Sequence, residues 1–173
     1  IFGSDTVQAT HQPANKMAVA ASGLDTATTS TTAGAVSTTL SLFGVRTIKT
    51  SNPTDLIIQV TAESALWTDV KVALTGDSSA FAQAKVWVEL DGAPVPVSSD
   101  DTAAGDIGEV VFNDRTFRVK TTLVSGGDLT CTSDCFALFL RTRSANAFNW
   151  VAMNVGSGLH TIEVKAELNV LVA

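Results

Sequence analysis

Apolar and polar residues alternate along most of this chain, and that period of two is its strongest constraint. In TDLIIQVTAE the residues Leu56, Ile58, Val60 and Ala62 fall on one face. Val70, Val72 and Leu74 do so in DVKVALT, and Val86, Val88 and Leu90 in AKVWVEL. In RTFRVKTTL the series is Phe117, Val119 and Leu123, with Arg118 and Lys120 facing away. The C-terminal run HTIEVKAELNVLVA alternates from Ile162 to Val172. Side chains of a strand point alternately to opposite faces, so this pattern specifies strands. Polar residues opposite the apolar ones specify antiparallel sheet with one solvated face. CFALFL is nearly continuous, which predicts a central strand.

Turn signals separate the runs: SNPTD, TGDSS, LDGAP, SSDDTAAGD, VSGGD and VGSG. Helical periodicity is almost absent; SANAFN, with Ser144 as a possible N-cap, is the one candidate helical turn. Many short strands at regular spacing predict an all-β antiparallel sandwich, and about eight or more favour a jelly roll over a minimal immunoglobulin domain. The last strand is long, and it is expected to run along the middle of a sheet.

Composition shifts only at the front. Residues 1–34 are small, polar and rich in Thr, Ser and Ala, and read as an N-terminal arm; residues 35–173 read as the sandwich domain. Val36, Leu40 and Leu42 share one face of the first strand, and Phe43 and Val45 the other. Gly44 sits where the apolar parity switches, which predicts a bulge. A β-branched run such as Thr28, Thr29, Thr31 and Thr32 suits an extended strand. It has too little apolar surface to order itself in water. It is therefore expected to lie along a neighbouring subunit, with Val36, Leu40 and Leu42 supplying the buried face. The alternative is that it wraps its own domain.

Only 16% of residues are charged, against roughly 25% in soluble domains, a surface that favours packing against neighbours. The net charge of −6 and the lack of any Lys/Arg cluster beyond Arg141 and Arg143 argue against nucleic acid and anionic membranes as partners. No apolar stretch approaches the roughly 20 residues of a membrane span. The chain opens at Ile1, so a removed leader and a fragment are both expected readings.

The two cysteines, Cys131 and Cys135, lie in CTSDC. A structural disulfide pinning a turn is the leading reading; free thiols, a metal site and redox chemistry are the alternatives. A disulfide implies export, hence an extracellular or cell-surface location. No Walker loop, dinucleotide fingerprint or zinc-protease helix is present, and NVGSGLH lacks nucleophile-elbow spacing. The chain is expected not to be an enzyme, and His160 to be a structural hydrogen-bonder. The loop SSDDTAAGDIGE gathers Asp100, Asp101, Asp106 and Glu109, a weak calcium candidate and the only cofactor suggested. Its alternative is a solvated acidic turn. Among the tryptophans, burial is expected for Trp67, Trp87 and Trp150. Trp87 faces away from Val86 and Val88, so if exposed it could offer a glycan a flat platform.

The stretch GSGLHTIEVKAEL looks like the last hairpin strand of many secreted jelly-roll and immunoglobulin-like domains. Combined with the small-residue arm, it resembles extracellular filament subunits of the TasA-like and archaeal bundling-pilus kind. That resemblance is one of architecture. It implies a sandwich subunit that donates its N-terminal strand to the next copy. The function expected is thus a structural subunit of an extracellular filament or surface assembly, with copies of itself as partners. The alternative is a secreted carbohydrate- or receptor-binding module.

Overall fold

The structure, a computed structural model, describes residues 17–24, 26–27, 34–72, 76–97, 108–121 and 136–172. Among these the strands are β1 (Gly34–Thr50), β2 (Thr54–Val72), β3 (Gly76–Leu90), β4 (Ala93–Pro94), β5 (Val110–Thr121), β6 (Phe136–Val155) and β7 (Gly158–Val172). No described residue is helical. One sheet has the order β1-β7-β3, with β4 and β5 both pairing the far side of β3; the other is β2–β6. Every pairing is antiparallel. The protein is therefore the all-β antiparallel sandwich that the alternation predicts, and β7 runs centrally between β1 and β3 as expected.

The two sheets share a corner. Thr50 pairs with Gly158 at the end of β1–β7, and Thr54 with Val155 at the start of β2–β6. The two ladders are thus halves of one long ribbon, folded where Pro53 and the Gly156–Ser157 turn interrupt pairing. The buried Thr50 hydroxyl holds this corner. It donates to the Gly156 carbonyl at 2.5 Å and accepts from the Gly158 N–H at 3.1 Å.

The bulge falls where the parity switch places it. Pairing jumps from Leu42↔Val164 to Arg46↔Ile162, so residues 43–45 stand opposite Glu163 alone. Phe43 and Gly44 both take positive φ, 60° and 64°. The strain at Phe43 aims its ring against the core. The β3–β4 connection is a two-residue turn, Asp91–Gly92, with φ of 52° and 78°, the mirror-image geometry that matches strand twist.

The core lies near the corner. Val60, Val86, Val88, Val95, Phe112, Trp150, Ala152, Val155 and Val164 form one buried cluster. Phe148 stands between Phe112 and Trp150, with ring centroids 5.2 and 6.4 Å away. Trp150 is fully buried, and its indole N–H donates to the Gly108 carbonyl at 2.7 Å. Gly108 can reach this place only without a side chain: a Cβ there would lie 2.0 Å from the Val95 carbonyl oxygen.

Three expectations need correction. Ser144 caps no helical turn: β6 passes straight through, pairing Ser144 with Ser64 and Ala145 with Glu63. Ladder hydrogen bonds over 20 residues outweigh the local preference of one Ser-Ala-Asn segment. The CFALFL region is not central among the described strands: β6 has β2 as its strand partner, and Phe139 is 64% exposed. Trp67 is not buried but 66% exposed. It follows Leu66 on β2 and so takes the solvent face.

Candidate interaction surfaces

The first surface is the free edge of β1. This strand of 17 residues pairs with β7 on one side, and no described strand pairs with the other. Residues 34–45 contain neither a charge nor a proline. Beyond them come the bulge, then Arg46 and Lys49. Bulges, lysines and prolines are what usually prevent an edge from recruiting another strand. The corner end of β1 is thus guarded, and the Gly34 end pairs with no second strand among the described residues.

Val36, Leu40 and Leu42 lie on the inward face of β1, opposite Val170, Ala166 and Val164 of the same chain. Leu42 packs against the core. Val36 and Leu40, with Leu168 and Val170 beside them, are half-buried and lie outside it. The reason is the unequal sheets: the two-stranded sheet packs against β3 and β5 rather than against β1. On the outward face, Ala35, Ser37, Phe81 and Leu171 border a shallow, largely apolar groove of about 260 Å³. Thr28, Thr29, Thr31 and Thr32 lie outside the described residues.

The rest of the outward face of the larger sheet is a charge ladder. Ser37 and Asn169 donate to Glu167, and Lys85 donates to Glu109 at 2.8 Å. The Ser37 hydrogen bond, followed by that of Asn169, holds the Glu167 carboxyl below its usual range. Bonding to Glu109 raises Lys85. Glu109 is thus committed to a lysine, while Asp100, Asp101 and Asp106 lie outside the described residues. Among the described residues, no group of three or more His, Cys, Asp or Glu side chains is placed to hold a metal ion. Cys131 and Cys135 also lie outside them.

Trp87 faces away from Val86 and Val88, as its parity predicts, but it is half-buried in this ladder. Its indole N–H donates to Glu89 at 3.1 Å, and Lys165 donates to the other oxygen of Glu89 at 2.8 Å. The Lys165 bond is the main cause of the lowered Glu89 pKa.

The second surface lies on β2 beyond Glu63, where the alternation quoted from TDLIIQVTAE stops. β2 runs 19 residues, and carrying the parity of Leu56 and Val60 onward through Leu66 puts Trp67 on the outer face. There Arg141, its direct partner on β6, stacks 5.5 Å from the centre of its ring. Phe139 is exposed on the same face, and Arg143 pairs with Glu63. The result is an aromatic and cationic patch on the half of the two-stranded sheet away from the corner.

No described helix is long and apolar enough to cross a membrane. The chain matches no family model, no curated protein and no solved structure.

Proposed function

We propose that this chain is an exported structural subunit of an extracellular filament or surface assembly, whose copies join by strand addition. The carrying observation is the unguarded edge of β1 over residues 34–42, bordered by the half-buried Val36 and Leu40. An incoming strand would satisfy the backbone groups there that pair with no described strand and cover apolar surface on both sides. The donor in this reading is the Thr-rich segment ahead of Gly34 in a neighbouring copy, whose small side chains permit close approach. The sandwich itself is read as a jelly roll. What supports that reading is the arrangement of β1-β7-β3-β5 beside β2–β6, two antiparallel sheets that share a corner. The role needs no catalytic residue and no cofactor.

Electron microscopy and light scattering on the full chain, beside a chain shortened to residues 34–173, test this reading. Fibres or ordered arrays from the full chain, and dispersed particles from the shortened one, are expected. A full chain that stays monomeric at high concentration removes it.

A second reading, a glycan- or receptor-binding module, is favoured by the exposed Trp67, Phe139 and Arg141. This patch suits a ring platform better than Trp87, whose edge is already engaged by Glu89. Glycan binding that disappears in Trp67→Ala, in a chain that does not assemble, would put this reading first.

A further inference from the structure

Away from the corner, the space between the sheets turns polar. Ser64, Asn113, Thr142, Ser144 and Asn146 replace the valines and aromatics, and most of their groups are paired. Asn113 donates to the Ser64 carbonyl, and Asn146 donates to the Phe112 carbonyl and the Ser144 hydroxyl. Into this compartment β5 sends Arg115. Its Nε donates to the Thr142 hydroxyl at 2.7 Å, and its Nη2 to the Leu66 carbonyl at 2.9 Å. Two polar atoms are left over. Arg115 Nη1 and the Thr68 hydroxyl are sealed from solvent and have no hydrogen-bond partner among the described residues.

The oxygens that hold Arg115 are neutral, and no carboxylate among the described residues pairs with it. Asp114, the next residue, is exposed and sits opposite Gln83 on the other face of the sheet. A guanidinium does not deprotonate in a protein, so its charge is retained. A water molecule could accept from Nη1 but could not balance that charge. The facing side chains of β3 are small as well. The β3 residues facing this region are Ala80, Ala82 and Ala84, and Ala82 pairs directly with Arg115. Burial also lowers the Arg115 pKa.

We propose that this compartment binds a small monovalent inorganic anion, with chloride the simplest, between Arg115 Nη1 and the Thr68 hydroxyl. Both groups are donors with no acceptor among the described residues, and a single negative charge balances the single cation.

The test is thermal unfolding of the full chain as chloride replaces gluconate at constant ionic strength. The wild-type midpoint should rise and then saturate, because a ligand bound only by the folded state stabilises it. Arg115→Met should remove the dependence. Thr68→Val should raise the half-saturating chloride concentration about tenfold, the effect of one lost charge-assisted hydrogen bond. Anomalous diffraction from bromide-grown crystals should place an ion within hydrogen-bond reach of Nη1. A flat wild-type curve, or the same chloride dependence in Arg115→Met, overturns the proposal and assigns the space to water. If Arg115→Met does not fold, the Thr68→Val titration and the bromide density decide. An unshifted titration or an absent bromide peak overturns the proposal.

Discussion

His160 Nδ1 lies 2.7 Å from a carboxylate oxygen of Asp91, and its Nε2 lies 2.9 Å from the Gly156 carbonyl. Both neighbours are acceptors, so both bonds form only when the ring is protonated on both nitrogens. The other Asp91 oxygen accepts from the backbone N–H of Thr161 at 2.7 Å. One imidazolium thereby ties the β3–β4 turn to the corner between the sheets.

The Asp91 bond, then the Gly156 bond, raises His160 above its ordinary 6.5. The His160 bond, then the Thr161 N–H, lowers Asp91 below 3.8. The histidine's contribution to stability is complete below its unfolded value and is lost as pH rises through the raised one. The aspartate's contribution is present above its unfolded value and is lost as pH falls through the lowered one. The corner should therefore be tightest between about pH 4 and 6.5. Asp91→Asn keeps a residue suited to positive φ but removes the charge. An NMR titration should show the His160 pKa falling in this variant; an unchanged value would separate the two groups.

Gly108 and Gly92 both take positive φ, but they should respond differently to alanine. At Gly92 a Cβ meets nothing within 4 Å, so only backbone strain opposes it, about 1–2 kcal/mol. At Gly108 the Val95 carbonyl or the Gly108 backbone must move as well, and the Gly108 carbonyl is the acceptor of the Trp150 indole. Gly108→Ala should lose upwards of about 3 kcal/mol, by strain plus disrupted packing. Urea unfolding of both variants checks the order; equal losses would mean that the backbone at Val95 yields easily.

The tryptophans divide in the same way. Trp150→Ala should lose about 3–5 kcal/mol or fail to fold. Trp67→Ala should fall within about 0.5 kcal/mol of wild type and remove much of the iodide-quenchable fluorescence. Strong quenching retained in Trp67→Ala would place another indole at the surface.

Much of this was legible residue by residue. The alternation of Val86, Trp87 and Val88 gave the two faces of β3, and the parity break at Gly44 gave the bulge. Periodicity states which residues share a face, but not what covers that face. That is why Val36 and Leu40 read as buried, yet stand half-covered beside a sheet of only two described strands. Ser144 misled because its local preference is weak against the long ladder with β2. Trp67 is harder to read: Ala62, Ser64 and Leu66 continue the inward series of β2, but small and hydroxyl side chains mark that face less clearly. The pairing of Arg115 with the Leu66 carbonyl and Thr142 depends on which strands the topology brings together, which no local pattern encodes.

The edge of β1 offers the last prediction, and it separates assembly from folding. Ala35 and Thr39 are exposed, and Thr39 pairs with Glu167 on β7. A lysine at either position should change the stability of the isolated subunit by no more than about 0.5 kcal/mol, with Thr39→Lys gaining a carboxylate opposite it. For an incoming strand the same lysines are obstacles: each must be displaced or desolvated at the edge being recruited. Ala35→Lys and Thr39→Lys together should raise the concentration needed for assembly at least about tenfold, corresponding to roughly 1.4 kcal/mol. Leu40→Asp should impair both assembly and folding, because it places a charge on the half-buried inward face. The measurement is light scattering against concentration, with a urea curve for each variant. Assembly of the double lysine variant at the wild-type threshold, from subunits of unchanged stability, would show that this edge is not where copies meet.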